Sequence, residues 1–159
     1  MVALKELLAF EIDGFQFGVH LESVIKVVQA VEIQPVPDLP EMVLGLINVH
    51  GSVTPVLNTR KRLGLPEKSL ELTDFFVIAS NSHQQIALIV DSIHGVINYS
   101  SDQIVKIDSV QSNDASVTVL RIIDGMLLLY DSDKSLNVDQ WSTLSVVLQK
   151  ASDANAAGN

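Results

Sequence analysis

There is no cysteine among the 159 residues. Disulfides, thiolate metal sites and a cysteine nucleophile are thereby excluded, and the composition suits a reducing cytoplasmic compartment. Basic residues are scarce as well: ten Lys and Arg stand against nineteen Asp and Glu, for a net charge of −9. A surface of that sign repels phosphate backbones, so nucleic acid is not expected as a partner. No apolar run approaches the roughly 18 residues of a membrane span, and no direct membrane insertion is expected. The opening MVALKELLAFEIDG has one early Lys but no uninterrupted apolar core and no small-residue cleavage site. It reads as the approach to a strand, not as a signal peptide.

What the chain does have is apolar material in short alternating runs. Hydrophobic residues make up 47% and mean hydropathy is +0.31, enough for one sizeable core or two small ones. Leu8, Phe10 and Ile12 alternate with Ala9 and Glu11, then Asp13-Gly14 gives a hairpin signal. Phe15, Phe17, Val19 and Leu21 line one face of the return strand. An extended stretch from Val24 ends at the prolines at 35, 37 and 40, and DLPEMVLG reads as a short helix from Asp38 to Gly45. After a polar connector, strand pattern resumes at Phe75–Ala79, turns at residues 81–84 and returns as QIALIVDSIHGVINY. The polar stretch DSVQSNDAS precedes two strands joined at Asp124-Gly125, and a short helix opens at Asp131. A helix over 138–151, with Trp141, Leu144, Val147 and Leu148 on one face, and a disordered tail over 152–159 are expected last.

The segment GLINVHGSVTPVLNTR, Gly45 to Arg60, concentrates the candidate residues. His50-Gly51 reads as a turn, with Asn48 supporting it; Pro55, lacking an N–H, reads as an edge strand or bulge. Asn58 caps a short helix ending at Gly64. Arg60, Lys61, Arg62 and Lys68 form the one basic cluster, read as a solvated helix face or a docking patch. His50 has a near-neutral pKa by type, but no nucleophile or orienting carboxylate accompanies it, so catalysis is not expected. The histidines at 20, 50, 83 and 94 lack metal-site spacing. Gly45, Gly51, Gly95 and Gly125 fall at predicted turns and form no phosphate-cradling pattern. No cofactor is expected.

The two halves repeat. Leu21-Glu22-Ser23-Val24 recurs 69 positions on as Val90-Asp91-Ser92-Ile93, and residues 58–63 recur 73 positions on as 131–136. His50-Gly51 aligns with Asp124-Gly125 at an offset of 74. Glu22 and Asp91 are assigned to matching turns, each accepting backbone N–H groups within its own barrel. The pattern predicts a mainly β fold: two packed antiparallel five-stranded barrels, about 5–66 and 72–137, sharing one domain over 5–137.

These residues resemble the CheW-like domain of bacterial chemotaxis coupling proteins. That family's signature is an apolar-Gly-apolar-apolar-Asn-Leu-Arg-Gly run followed by apolar-apolar-Pro-apolar-apolar-Asp-Leu-Arg, and GLINVHGSVTPVLNTR is similar to it. Val90-Asp91-Ser92-Ile93 takes the place of its second landmark. The resemblance implies SH3-like β-barrels, no enzymatic activity, and a cytoplasmic adaptor. Its implied partners are the regulatory domain of a CheA-type histidine kinase and the cytoplasmic tip of a chemoreceptor. Val24, Lys26, Val27, His50, Val53, Val56 and Arg60 are the partner-binding candidates. His50 stands where the family has Arg, Asn58-Thr59 where it has Asp-Leu, and Lys26 where it has Glu. Two rival readings are a scaffold for a kinase outside chemotaxis, such as one serving surface motility, and a small-molecule-binding barrel or enzyme.

Overall fold

Alternating apolar residues become strands along the whole chain. The computed structural model describes residues 3–105, 117–123, 125–134 and 136–157. The strands are β1 (Lys5–Ile12), β2 (Phe15–His20), β3 (Val24–Gln29), β4 (Val43–Val49), β5 (Ser52–Leu57), β6 (Phe75–Ser80), β7 (Gln85–Val90), β8 (Ser92–Tyr99), β9 (Ile104–Val105), β10 (Val117–Ile122) and β11 (Gly125–Tyr130). Two helices accompany them, α1 (Thr59–Arg62) and α2 (Val138–Ala157). The expected polar stretch at 108–116, Asp124 and the last two residues lie outside the described residues.

The architecture is mainly β, as two SH3-like units, but the sheets are not closed. One sheet has six strands in the order β8-β1-β2-β11-β10-β9, and the other has five in the order β3-β6-β7-β5-β4. Neither sheet comes from one half of the chain. The hairpin β1–β2 sits among strands of the second half, and the hairpin β6–β7 sits among strands of the first. Each inserted hairpin meets its host through one parallel pair, β2 with β11 and β7 with β5. The expectation of two antiparallel barrels, one per half, is therefore corrected. A half of this size is marginal alone, and exchanging hairpins makes each half the other's missing piece.

The repeat holds at the level of register. Phe10↔Phe17 corresponds to Ala79↔Ile86, and Leu8↔Val96 to Val77↔Val27. Even the bulges correspond: Ile25 is skipped between β3 and β6, and His94 between β8 and β1. Val49↔Ser52 matches Ile122↔Gly125, so His50 is the counterpart of Ile123 and not of Asp124. The second repeat offset is thus 73 here, not 74.

Among the described residues, apolar burial falls into three clusters. One lies on the five-stranded sheet around Ile47, Val56, Phe76 and Ile78, and one on the six-stranded sheet around Leu7, Tyr99, Leu120 and Leu127. The largest joins the two sheets and α2 through Phe10, Phe17, Leu57, Ile86, Leu88, Tyr130, Trp141 and Leu144. Side-chain alternation supplies these faces, since successive strand residues point to opposite sides.

Two elements differ from expectation. Residues 37–38 and 41–42 form turns, and the predicted helix there is replaced by β4 from Val43. Asp38, the expected N-cap, adopts φ 68°, far from the extended backbone an N-cap takes, and prolines 37 and 40 flank it. At the other end α2 continues to Ala157. Ala151, Ala154, Ala156 and Ala157 favour helix, and no breaker intervenes before Gly158.

Candidate functional site

The turn between β4 and β5 is built by three residues. His50 and Gly51 have φ of 48° and 88°, the double left-handed pair of a tight hairpin turn. Asn48 Oδ1 accepts from the Gly51 N–H at 2.7 Å, holding the tip closed. His50 itself is exposed. Asp13 and Gly14 make the same turn between β1 and β2, with φ of 53° and 82°.

Val24, Lys26 and Val27 lie on β3, an outer strand of the five-stranded sheet. Val24 and Val27 pack against the central core and are half-buried. The bulge turns Ile25 outward instead, leaving it 51% exposed. Sequence alternation carries no sign of a bulge, so Ile25 was not among the candidates. His50 stands beside β4, the other outer strand of that sheet.

The remaining candidates are placed differently. Val56 is fully buried in the sheet core, so it presents no surface to a partner. Val53 is half-buried. Their strand, β5, lies between β7 and β4 and is not an edge, and Pro55 is buried within it. The proline is tolerated because pairing with β7 begins only at Val56. Gly45 is not a turn residue either; it lies within β4 against the backbone of residue 34. Glu22 is exposed, and the bond at its turn comes from Ser23 Oγ to the His20 carbonyl at 2.8 Å. Gly95 is not at a turn but inside β8 beside its bulge, with φ of 91°, while Gly125 opens β11 with φ of 135°.

Arg60 is drawn inward. Its guanidinium donates to Asp91 at 2.8 Å, to Asp13 at 3.2 Å and to the Pro66 carbonyl at 3.0 Å. Asp91 Oδ2 also accepts from the Asp13 N–H at 2.8 Å, so from the neighbouring start of β8 it serves the β1–β2 turn, not a turn of its own. Burial pulls the Arg60 pKa down, but the hydrogen bonds and charges of Asp91, then Asp13, outweigh it and hold it above its ordinary value. A raised folded-state pKa stabilises fully below the unfolded one, so this contribution is constant wherever arginine is charged. Asn58 caps α1 by accepting from the Lys61 N–H at 3.1 Å. Lys61 pairs with Glu41, and Lys68 with Asp74 at 3.0 Å. The basic cluster is therefore largely paired with its own neighbours, which weighs against the docking-patch alternative.

Arg60→Ala is expected to destabilise by about 1–2 kcal/mol, since Asp91 and Asp13 lose a charge-assisted donor but keep partial access to water. Urea unfolding measures it. A loss below about 0.3 kcal/mol would assign the network no structural weight.

An open cleft of about 490 Å³ lies beside this network, lined by Ile33, Leu44, Arg60, Lys68, Asp74 and Asp91 among others. Four of its charged groups are paired with one another, Arg60 with Asp91 and Lys68 with Asp74. Among the described residues no three His, Asp or Glu side chains are grouped to hold a metal ion. No described helix is long and apolar enough to cross a membrane.

Residues 6–140 match the CheW-like domain. This chain belongs to the CheW-like family. It is 29% identical to a chemotaxis protein CheW of Thermotoga maritima, over 83% of this chain and 89% of that protein. It is 26% identical to a chemotaxis protein CheW of Bacillus subtilis, over 92% and 95% of the two chains. The crystal structure of the scaffolding protein TtCheW from Thermoanaerobacter tengcongensis superposes with a TM-score of 0.75 at 25% identity, covering 88% of this chain and 96% of that one. CheW-like proteins are non-catalytic scaffolds of chemotaxis signalling, and this CheW-like chain is an adaptor and not an enzyme.

Proposed function

We propose that this protein couples the cytoplasmic tip of a chemoreceptor to the regulatory domain of a CheA-type histidine kinase, in the cytoplasm. The reading rests on the CheW-like match spanning residues 6–140. Val24, Lys26, Val27 and His50 are assigned to the receptor. In support, β3 is an outer strand and His50 is displayed at an exposed, rigid turn. The kinase regulatory domain is assigned to an apolar strand edge, which β5 does not offer; the outer strands of the two sheets remain for it. Contacts of this kind are modest in area and reversible, as signalling requires.

The first test is calorimetry of the purified protein against the regulatory domain of each CheA-type kinase of its own organism. Micromolar binding to one supports the coupling reading, and binding to none removes the kinase from it. The charge pattern is tested separately. Lys26→Glu with His50→Arg restores the acid and the Arg of the CheW-like pattern. Affinity for a receptor tip recognised by ordinary CheW proteins is expected to rise about tenfold, through rim charges that set partner choice. An unchanged affinity would remove Lys26 and His50 from the receptor surface.

A further inference from the structure

The register of the repeat pairs each position of one sheet with a position of the other, and one surface row lacks its counterpart's cover. On the five-stranded sheet, Asn48 lies across from Val53. The β5–β7 register, continued back from Val56↔Ala87, brings Gln84 to the other side of Val53. On the six-stranded sheet the corresponding row is Arg121, Met126 and Phe15: Arg121↔Met126 is a direct pair, and Leu128↔Phe17 continued back sets Phe15 beside Met126.

The inner part of the first row is covered, while Asn48 at its outer end is exposed. Helix α2 packs against β5, and its Trp141 stacks on His83 with ring centres 4.6 Å apart. Val53 and Gln84 are half-buried beneath this end of the fold. The second row is bare. After β5 the chain makes only the four-residue α1 and an irregular linker in the place where β11 leads to α2. Phe15 is left 51% exposed and Met126 65% exposed, and Ile123 at the adjoining tip is fully exposed. Single exposed apolar side chains are ordinary, but three large ones grouped at one sheet end mark an interaction site.

We infer that the row of Phe15, Met126 and Arg121, with Ile123, docks an amphipathic helix of a partner protein, seated on the six-stranded sheet as α2 is seated on the other. The internal precedent supplies the shape: α2 presents Trp141, Leu144 and Leu148 at helical spacing to the equivalent face. The charge is supplied by Arg121, which is exposed and pairs with no carboxylate among the described residues. The docking helix therefore carries an apolar stripe at i, i+3, i+4 and i+7 flanked by Glu or Asp. This site lies on the opposite sheet from Val24, Lys26 and His50, and it does not depend on the receptor or kinase assignments.

The probe is a synthetic helical peptide of about 18 residues with a leucine stripe flanked by Glu, and a twin with Lys in place of Glu. Both are titrated into the isotope-labelled full-length protein at about 150 mM salt, where the long-range field of the acidic chain is screened. Amide shifts are expected at Phe15 and residues 121–126, with the Glu peptide binding about tenfold more tightly than its twin. Arg121→Glu should reverse that preference, and Phe15→Ser with Met126→Ser should weaken both peptides about tenfold while leaving the remaining spectrum unchanged. Both exposed residues tolerate polar replacement, so folding is not at risk. Shifts that map elsewhere, or no binding, overturn the inference. Concentration-dependent dimerisation abolished by the same double variant overturns it in favour of a second copy of this chain.

Discussion

Replacing Trp141 with alanine is expected to destabilise the protein by about 3–5 kcal/mol and to free the C-terminal helix from the sheets. Trp141 is 4% exposed and belongs to the cluster that joins both sheets, with Phe10, Phe17, Leu57 and Leu88. Its indole also donates Nε1–H to the Asp133 carbonyl at 3.2 Å and stacks on His83. Alanine leaves a cavity where the packing is shared by elements from both halves, so relaxation on one side cannot fill it. It also leaves the Asp133 carbonyl without that donor. Leu144, fully buried one turn on, is then the main remaining anchor of α2. Guanidinium unfolding gives the loss in stability, and hydrogen exchange over 138–151 gives the release of the helix. Trp141→Phe retains most of the apolar area but not the indole bond, and should cost about 1–2 kcal/mol. A loss under about 1 kcal/mol for the alanine variant would mean that α2 is dispensable to the core.

Gly45→Ala should be comparably damaging, at about 3 kcal/mol, although it adds only one methyl group. A Cβ built at Gly45 would lie 2.5 Å from the Gln34 carbonyl oxygen and 2.6 Å from Ile33 Cγ2. The obstacle is backbone, which no rotamer change removes. Residue 34 is held there by two bonds, Gln34 N–H to the Leu46 carbonyl and Leu46 N–H to the Gln34 carbonyl, each 2.9 Å. Relief of the clash breaks this bridge, and the 30–42 segment lifts from the outer side of β4. Thermal melting compares the variant with Gly51→Ala. There the added Cβ meets nothing within 4 Å, and only the left-handed φ of 88° is penalised. Gly45→Ala as mild as Gly51→Ala would show that the bridge is not held in solution.

Short-range order was legible because it depends on nearest neighbours. The turn at Asp13-Gly14, the cap at Asn58 and the apolar face of Trp141, Leu144 and Leu148 all follow from local chemistry. The helix expected over DLPEMVLG failed because Asp38 takes a left-handed backbone and the β-ladder of β4 recruits Val43 onward. The partner-binding reading of Val56 failed because β5 is an interior strand, a property of strand order and not of composition. Arg60, read as a contact residue, found its acids 31 and 47 positions away in sequence.

By itself the sequence determined the β class, the repeat and the CheW-like resemblance. Alternation, Gly turns and motif order are periodic or local signals, and they survive whatever the strands do next. Only the tertiary structure decided which strands pair. The hairpins β1–β2 and β6–β7 trade places between halves, and no residue announces this, because either arrangement satisfies the same alternation. Exchange buries the back faces of both sheets in one shared cluster. It also turns Arg60 inward, and it leaves Phe15 and Met126 exposed on the face that matches the one α2 covers.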